Sequence, residues 1–177
     1  QNELLPRDWH AHKVIDPTVV AVWFEKKKGQ DHKVIVPSPA FGPHAALLRE
    51  ALGHLDIPLD LLETDDELLY ELVRKNVYIL TTNIAGLVTG GTVGELWADH
   101  QALAREVAAE IMDIQVALTH TEFDRERLIQ GMLTAFDGDP EHKCTGRSAP
   151  ARLERALTHA DEFGLGVPKL REIHASL

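Results

Sequence analysis

The sequence predicts a mainly α protein, a bundle of five to seven helices preceded by a β-hairpin. Three observations carry that expectation. From Leu68 to Val88 the chain is apolar on nearly every side, the mark of a buried helix. Downstream, apolar residues recur at helical spacing, first at Leu103, Val107, Ile111, Ile114 and Leu118, then at Leu128, Ile129, Met132, Leu133 and Phe136. Upstream, Val19–Glu25 (VVAVWFE) is rich in β-branched and aromatic residues and reads as a buried strand.

Taken in order, residues 1–18 read as irregular, with prolines at 6 and 17. After the Val19–Glu25 strand, Lys26 to Asp31 form a polar turn, and Lys33–Val36 is a second short strand, giving a hairpin. The lysine run is read as a solvated turn ahead of a phosphate site. Pro37, Pro39 and Pro43 end the hairpin, and Pro43 opens a helix that runs to Leu52 with Gly53 as its C-cap. Thr64-Asp65-Asp66-Glu67 is a capping box that opens the central helix, its acidic first turn suited to the helix dipole. Gly86, Gly90, Gly91 and Gly94 are expected to break that helix into a loop. Helices follow from about Asp99 to Leu118 and after a Thr121 cap. A polar loop spans 137–147, a helix starts at Ser148 and Pro150 and ends at Gly164, and a last short helix follows Pro168.

At 177 residues the chain holds one good core, or one domain with an appendage. A net charge of −10 argues against nucleic acid and anionic membrane surfaces as partners, since both require basic surface. No apolar run approaches the roughly 18 residues of a membrane span. The single cysteine, Cys144, forms no internal disulfide, which fits a cytoplasmic location. The chain begins at Gln1 without a methionine, which suggests a fragment, a proteolytic product or a deliberately cut piece of a longer protein.

Polar residues interrupt the central helix at Lys75, Asn76, Thr82 and Asn83. At 100° per residue, positions seven apart share a stripe, so Asn76 aligns with Asn83 and Lys75 with Thr82. A lysine on a buried helix needs water or a partner. It either snorkels to a domain edge, or its stripe faces a cleft where desolvation makes an ammonium a usable acid.

The spacing of Lys75, Asn83 eight residues on, and Gly94-Glu95-Leu96 eleven beyond that resembles the ketopantoate reductase (2-dehydropantoate 2-reductase) family. The opening Gln1-Asn2 resembles that family's Gln-Asn-Gly. The closing Gly164-Leu165-Gly166-Val167-Pro168 is similar to its Gly-x-x-x-Pro. The resemblance covers nearly the whole chain, and the chain covers the family's second half.

It implies the following. Residues 1–42 are a hairpin segment left from a nucleotide-binding domain. Residues 43–177 are the C-terminal helical substrate and dimerisation domain, of the 6-phosphogluconate-dehydrogenase-like kind. The intact protein is an NADP-dependent reductase of a 2-keto acid in pantothenate biosynthesis. Lys75 is its general acid and Asn83 binds substrate, with Asn76 on the same stripe as a second candidate. Asn2 lies near the cofactor. The partners are the 2-keto acid, the missing N-terminal Rossmann domain and a second copy of the chain, joined through the exposed hairpin. The isolated chain is expected to be inactive and to hold no cofactor.

The chain also departs from the family. Glu3 stands at the glycine of Gln-Asn-Gly, and 143–150 reads KCTGRSAP where the family has Ser-Met-x-x-Asp and then a substrate-binding glutamate. No equivalent glutamate is found, so ketopantoate and other 2-keto acids stay open as substrates. Arg147 and Arg152 are read as solvated surface residues ahead of a carboxylate clamp. Ten histidines raise a metal hypothesis, chiefly His10 with His12 and His142 with Cys144. Neither a His-Glu-x-x-His nor a Cys-x-x-Cys accompanies them, and no metal is expected. Cys144 is read as an idle thiol ahead of a nucleophile. The alternative to an enzyme is a non-catalytic helical binding or interaction protein derived from the same fold.

Overall fold

The computed structural model describes residues 3–26 and 28–177. Asn2, with its expected cofactor role, and Lys27 of the lysine turn lie outside the described residues. The chain divides into two compact units, Gln1–Lys75 and Asn76–Leu177.

In the first unit, residues 1–18 are not wholly irregular. Helix α1 spans Pro6–Ala11, with proline in its first turn and the Asp8 carboxylate accepting the Leu5 N–H at 2.7 Å. The expected single strand at Val19–Glu25 is instead two, β1 (Val19–Val20) and β2 (Phe24–Lys26). They separate because they pair differently: β2 runs antiparallel to β3 (His32–Val34), whereas β1 runs antiparallel to β4 (Ser38–Phe41). Between them Val19, Ala21 and Trp23 turn inward and Val22 outward, so the segment is half-buried.

The sequence reading missed β4 because three prolines crowd it. Pro39 lacks the N–H a ladder expects, yet its carbonyl accepts from Ala21 at 2.9 Å. Helix α2 covers Ala45–Gly53, two residues later than expected, and Gly53 is its last residue, with His54 as cap. Strand β5 (Leu59–Leu61) then lies parallel to β4, giving a three-stranded sheet β1-β4-β5. Ala40, Ala45, Ile57 and Leu59 form the core between sheet and α2, flanked by Val20, Phe24, Leu48, Leu52 and Leu61.

Helix α3 spans Asp65–Thr89 and carries the unit division. Its capping box forms as expected: Glu67 N–H donates to Thr64 Oγ1 at 3.2 Å, and Thr64 N–H to the Glu67 carboxylate at 3.2 Å. Gly86 does not break the helix. It is buried inside α3, which ends at Thr89, ahead of Gly90, where φ is +64°.

The second unit is helical. Thr92 and Glu95 form a capping box for α4 (Val93–Asp99), a helix read from sequence as loop. Helix α5 follows (Gln101–Thr119), and then α6 (Arg125–Gly138), capped by Asp124 rather than Thr121 through Arg127 N–H at 3.0 Å. Helices α7 (Ala149–Glu162) and α8 (Pro168–Ala175) close the chain. Including α1 and α4, eight helices lie among the described residues, and the protein is mainly helical. Helix α5 contacts α4, α6, α7 and α8, burying Val107, Ile111 and Ile114 as its periodicity predicts. The Glu110 carboxylate accepts from the first free amides of α8, Lys169 and Leu170, both at 2.8 Å. A carboxylate there also complements the helix dipole. Among the described residues no helix is long and apolar enough to cross a membrane.

Candidate active site

Lys75 is half-buried on α3. Its ammonium donates to the Val22 carbonyl and lies 4.5 Å from the Trp23 ring centroid, with the Arg74 guanidinium 5.1 Å from the same ring. Trp23 is 1 % exposed and its backbone is held from both sides: its main-chain N–H donates to Ser38 Oγ at 2.8 Å and its main-chain carbonyl accepts from Ile35 N–H at 2.8 Å. The outward kink between β1 and β2 thus presents a carbonyl and an aromatic face to the Lys75 ammonium, both of which favour a cation. Arg74 also pairs with Glu71 at 2.9 Å.

Asn83 is buried in the second unit, where three segments meet on it. Its Oδ1 accepts from Arg152 Nη1 at 2.6 Å. Its Nδ2 donates to the Cys144 carbonyl at 3.1 Å and, more weakly, to Thr82 Oγ1 at 3.4 Å. The loop carrying Cys144 is seated by its backbone. Cys144 N–H donates to Gly91 O at 3.0 Å, and the Val93 and Gly94 N–H groups donate to His142 O and Pro140 O at 2.9 and 3.0 Å. Gly86 makes room for the loop, since a Cβ there would lie 2.5 Å from Cys144 Cβ. Segment 137–147, expected as a polar loop, is therefore clamped against the end of α3. The Cys144 thiol is fully enclosed. Burial, with the Glu95 charge behind it, pushes its pKa up to about 11. It stays protonated at neutral pH, the opposite of an activated nucleophile. His142 turns its ring toward Asp139, with Nδ1 3.6 Å from the carboxylate, and His10 packs edge-on against Trp9.

Asn76 shares the buried stripe of Asn83, as the spacing requires, and both are in the interior. Its Nδ2 donates to Gln115 Oε1 of α5 at 3.0 Å, a buried amide pair. Arg147 is exposed as expected, but Arg152 is 8 % exposed, which corrects its reading as a surface residue. The sequence did hold the signal: Arg152 lies on the α7 stripe of Ala149, Leu153, Ala156 and Ala160, all buried. Glu154, on the same helix, is exposed.

At the chain's start, Glu3 adopts φ +66°, the left-handed conformation that glycine favours. The turn after β4 does not fit a dinucleotide. It carries the single Gly42, whose missing Cβ admits Pro17 O, which would lie 2.4 Å away. A pyrophosphate cradle needs Gly-x-Gly-x-x-Gly between strand and helix, a pattern not found among the described residues.

No family model matches the chain. No curated protein matches it either. Among solved structures it is similar to the dimeric ketopantoate reductase of Staphylococcus aureus, described for its kinetic cooperativity. The TM-score is 0.59 at 17 % sequence identity, over 89 % of this chain and 59 % of that one. At that identity the likeness shows the fold: the chain has a ketopantoate-reductase-like fold and spans under two thirds of that structure's length.

Proposed function

We propose that this chain is the helical substrate-binding half of an NADP-dependent 2-keto-acid reductase resembling ketopantoate reductase. The likeness of fold over 89 % of the chain supports this reading most strongly. The unbroken Lys75–Asn83–Gly94 spacing and the glycine-like backbone of Glu3 add to it. In this reading Lys75 donates a hydrogen bond, then a proton, to the keto oxygen as alkoxide charge develops on it. Asn83 positions the substrate, Asn76 supports it from the same stripe, and Asn2 lies toward the cofactor. NADP would supply the hydride and be held by a Rossmann domain outside the described residues. The exposed apolar side chains Val14, Ile15, Val22, Leu47 and Leu55 of the first unit support a dimer or a further domain as partner.

The test is NADPH oxidation by the full-length protein with ketopantoate and simpler 2-keto acids. Replacing the acid, Lys75→Ala, is expected to cut turnover by roughly 10²–10⁴-fold. Full turnover in that variant would sink the assignment.

A second reading, a non-catalytic binding protein built on the same fold, is favoured by the contacts of Lys75 with Val22 and Trp23 and of Asn76 with Gln115. It predicts no NADPH oxidation with any 2-keto acid.

A further inference from the structure

Within the second unit, one side chain of the candidate site is held in a way that fixes its chemistry. An asparagine amide can in principle sit either way round, with two donors on one side and an acceptor on the other. At Asn83 both neighbours demand the same orientation. Arg152 is donor-only, so it requires Oδ1. The Cys144 carbonyl is acceptor-only, so it requires Nδ2. The two contacts come from segments 61 and 69 residues away along the chain. The guanidinium contact is also charged. At 2.6 Å a cation on Oδ1 draws electron density from the amide and makes its N–H a stronger donor, as in any polarised chain of hydrogen bonds.

We infer that Arg152 is a positioning residue for Asn83. It locks the amide with its NH2 away from the guanidinium, one N–H on the Cys144 carbonyl, and it strengthens the second N–H, held only weakly by Thr82 Oγ1 at 3.4 Å, as a donor toward an anionic oxygen of the substrate. This deepens the proposed function and rests on it: Asn83 is the residue that touches substrate, and Arg152 acts through it. The sequence lacks the substrate-binding glutamate of the family it resembles. The buried cation of α7 gives this chain a different bias, favouring substrates that present a carboxylate or keto oxygen, both acceptors, at Asn83.

The experiment compares full-length wild type with Arg152→Gln, Arg152→Lys, Asn83→Ala and the Asn83→Ala/Arg152→Gln double variant. KM and kcat are measured by NADPH oxidation with ketopantoate and pyruvate, and the melting temperature is recorded for each. Losing a charged hydrogen bond is expected to raise KM roughly 10- to 100-fold in Arg152→Gln, with a much smaller change in kcat. Arg152→Lys, which keeps the charge, should recover most of that loss even if its melting temperature falls. In the Asn83→Ala background, Arg152→Gln should add little, because the two residues act as one unit.

An unchanged KM in a folded Arg152→Gln would overturn the inference while leaving the reductase reading intact. So would a full additional loss in the double variant. If Arg152→Gln fails to fold, the Arg152→Lys comparison decides, and a KM loss there equal to that of Asn83→Ala would count against a role for charge. Absence of turnover in wild type with either keto acid would overturn the reductase reading, and this inference with it.

Discussion

The two units handle polar groups in opposite ways. Among the described residues, the first unit buries one polar side chain, Ser38, and turns Val14, Ile15, Val22, Leu47 and Leu55 toward solvent. The second buries Asn76, Thr81, Thr82, Asn83, Gln115, Asp139 and Arg152, and leaves only Val88 and Leu177 as large exposed apolar residues. A buried polar group is tolerated where partners meet it. Thr81 Oγ1 apart, which is buried without a partner among the described residues, the second unit supplies them from the α3 backbone, loop 139–146, α5 and α7, and so can hold fixed donors and acceptors. The first unit, with little depth between its small sheet and α2, holds its cation with an aromatic face and a backbone carbonyl. Preorganised polar chemistry is thus concentrated in the second unit, and apolar surface for a partner in the first.

If the first unit depends on its single aromatic platform, Trp23→Ala should be the most damaging substitution. Emptying a site 1 % exposed and stripping the platform from Arg74 and Lys75 should cost about 3–5 kcal/mol in urea unfolding. A loss below about 1 kcal/mol would show that the strands hold without it.

In the second unit the critical contact is the close approach of α3 to its loop. A helical Gly→Ala usually gains about 1 kcal/mol. At Gly86 the new Cβ would meet Cys144 Cβ at 2.5 Å, Thr145 Cγ2 at 2.9 Å and the Cys144 backbone carbon at 3.2 Å. Overpacking of about 1–3 kcal/mol should therefore win, and Gly86→Ala should destabilise. A stabilised variant would mean that the loop yields and Asn83 is less firmly held than its contacts indicate.

The smallest effect is alkaline. The Cys144 thiol rises from an ordinary 9.0 to about 11 in the fold, so the folded state keeps its proton longer than the unfolded chain. That contribution is fully present below pH 9 and is lost as pH rises from 9 through 11. Unfolding midpoints measured across that window should fall more steeply for wild type than for Cys144→Ala. Parallel curves would show that the thiol is not enclosed.

Much of the helical part of the chain was legible because its determinants are local. The Thr64–Glu67 box, the apolar run of α3 and the faces of α5 and α6 all lie within a few turns of helix. Misreadings arose where a residue's role is set from afar. Gly86 looked like a helix breaker because the loop that demands a glycine is nearly sixty residues away. Pro37, Pro39 and Pro43 hid β4, whose place depends on pairing with β1 and β5. Lys75 and Asn83 could be singled out by spacing, but the Val22 carbonyl, the Cys144 carbonyl and Arg152 could not be assigned to them from sequence. Arg152 was the nearest miss, because its helical stripe already placed it inward.

The clasp of Glu110 on α8 bears on the order in which the second unit assembles. Its acceptor lies in α5 and its donors 59 and 60 residues later, so the bonds close a long loop and bear its entropic cost. Until α5 has formed, the first turn of α8 has nothing to satisfy those two amides, and an eight-residue helix is marginal on its own. Helix α8 is therefore expected to form late in folding, with mutations of Glu110 changing the unfolding rate more than the folding rate.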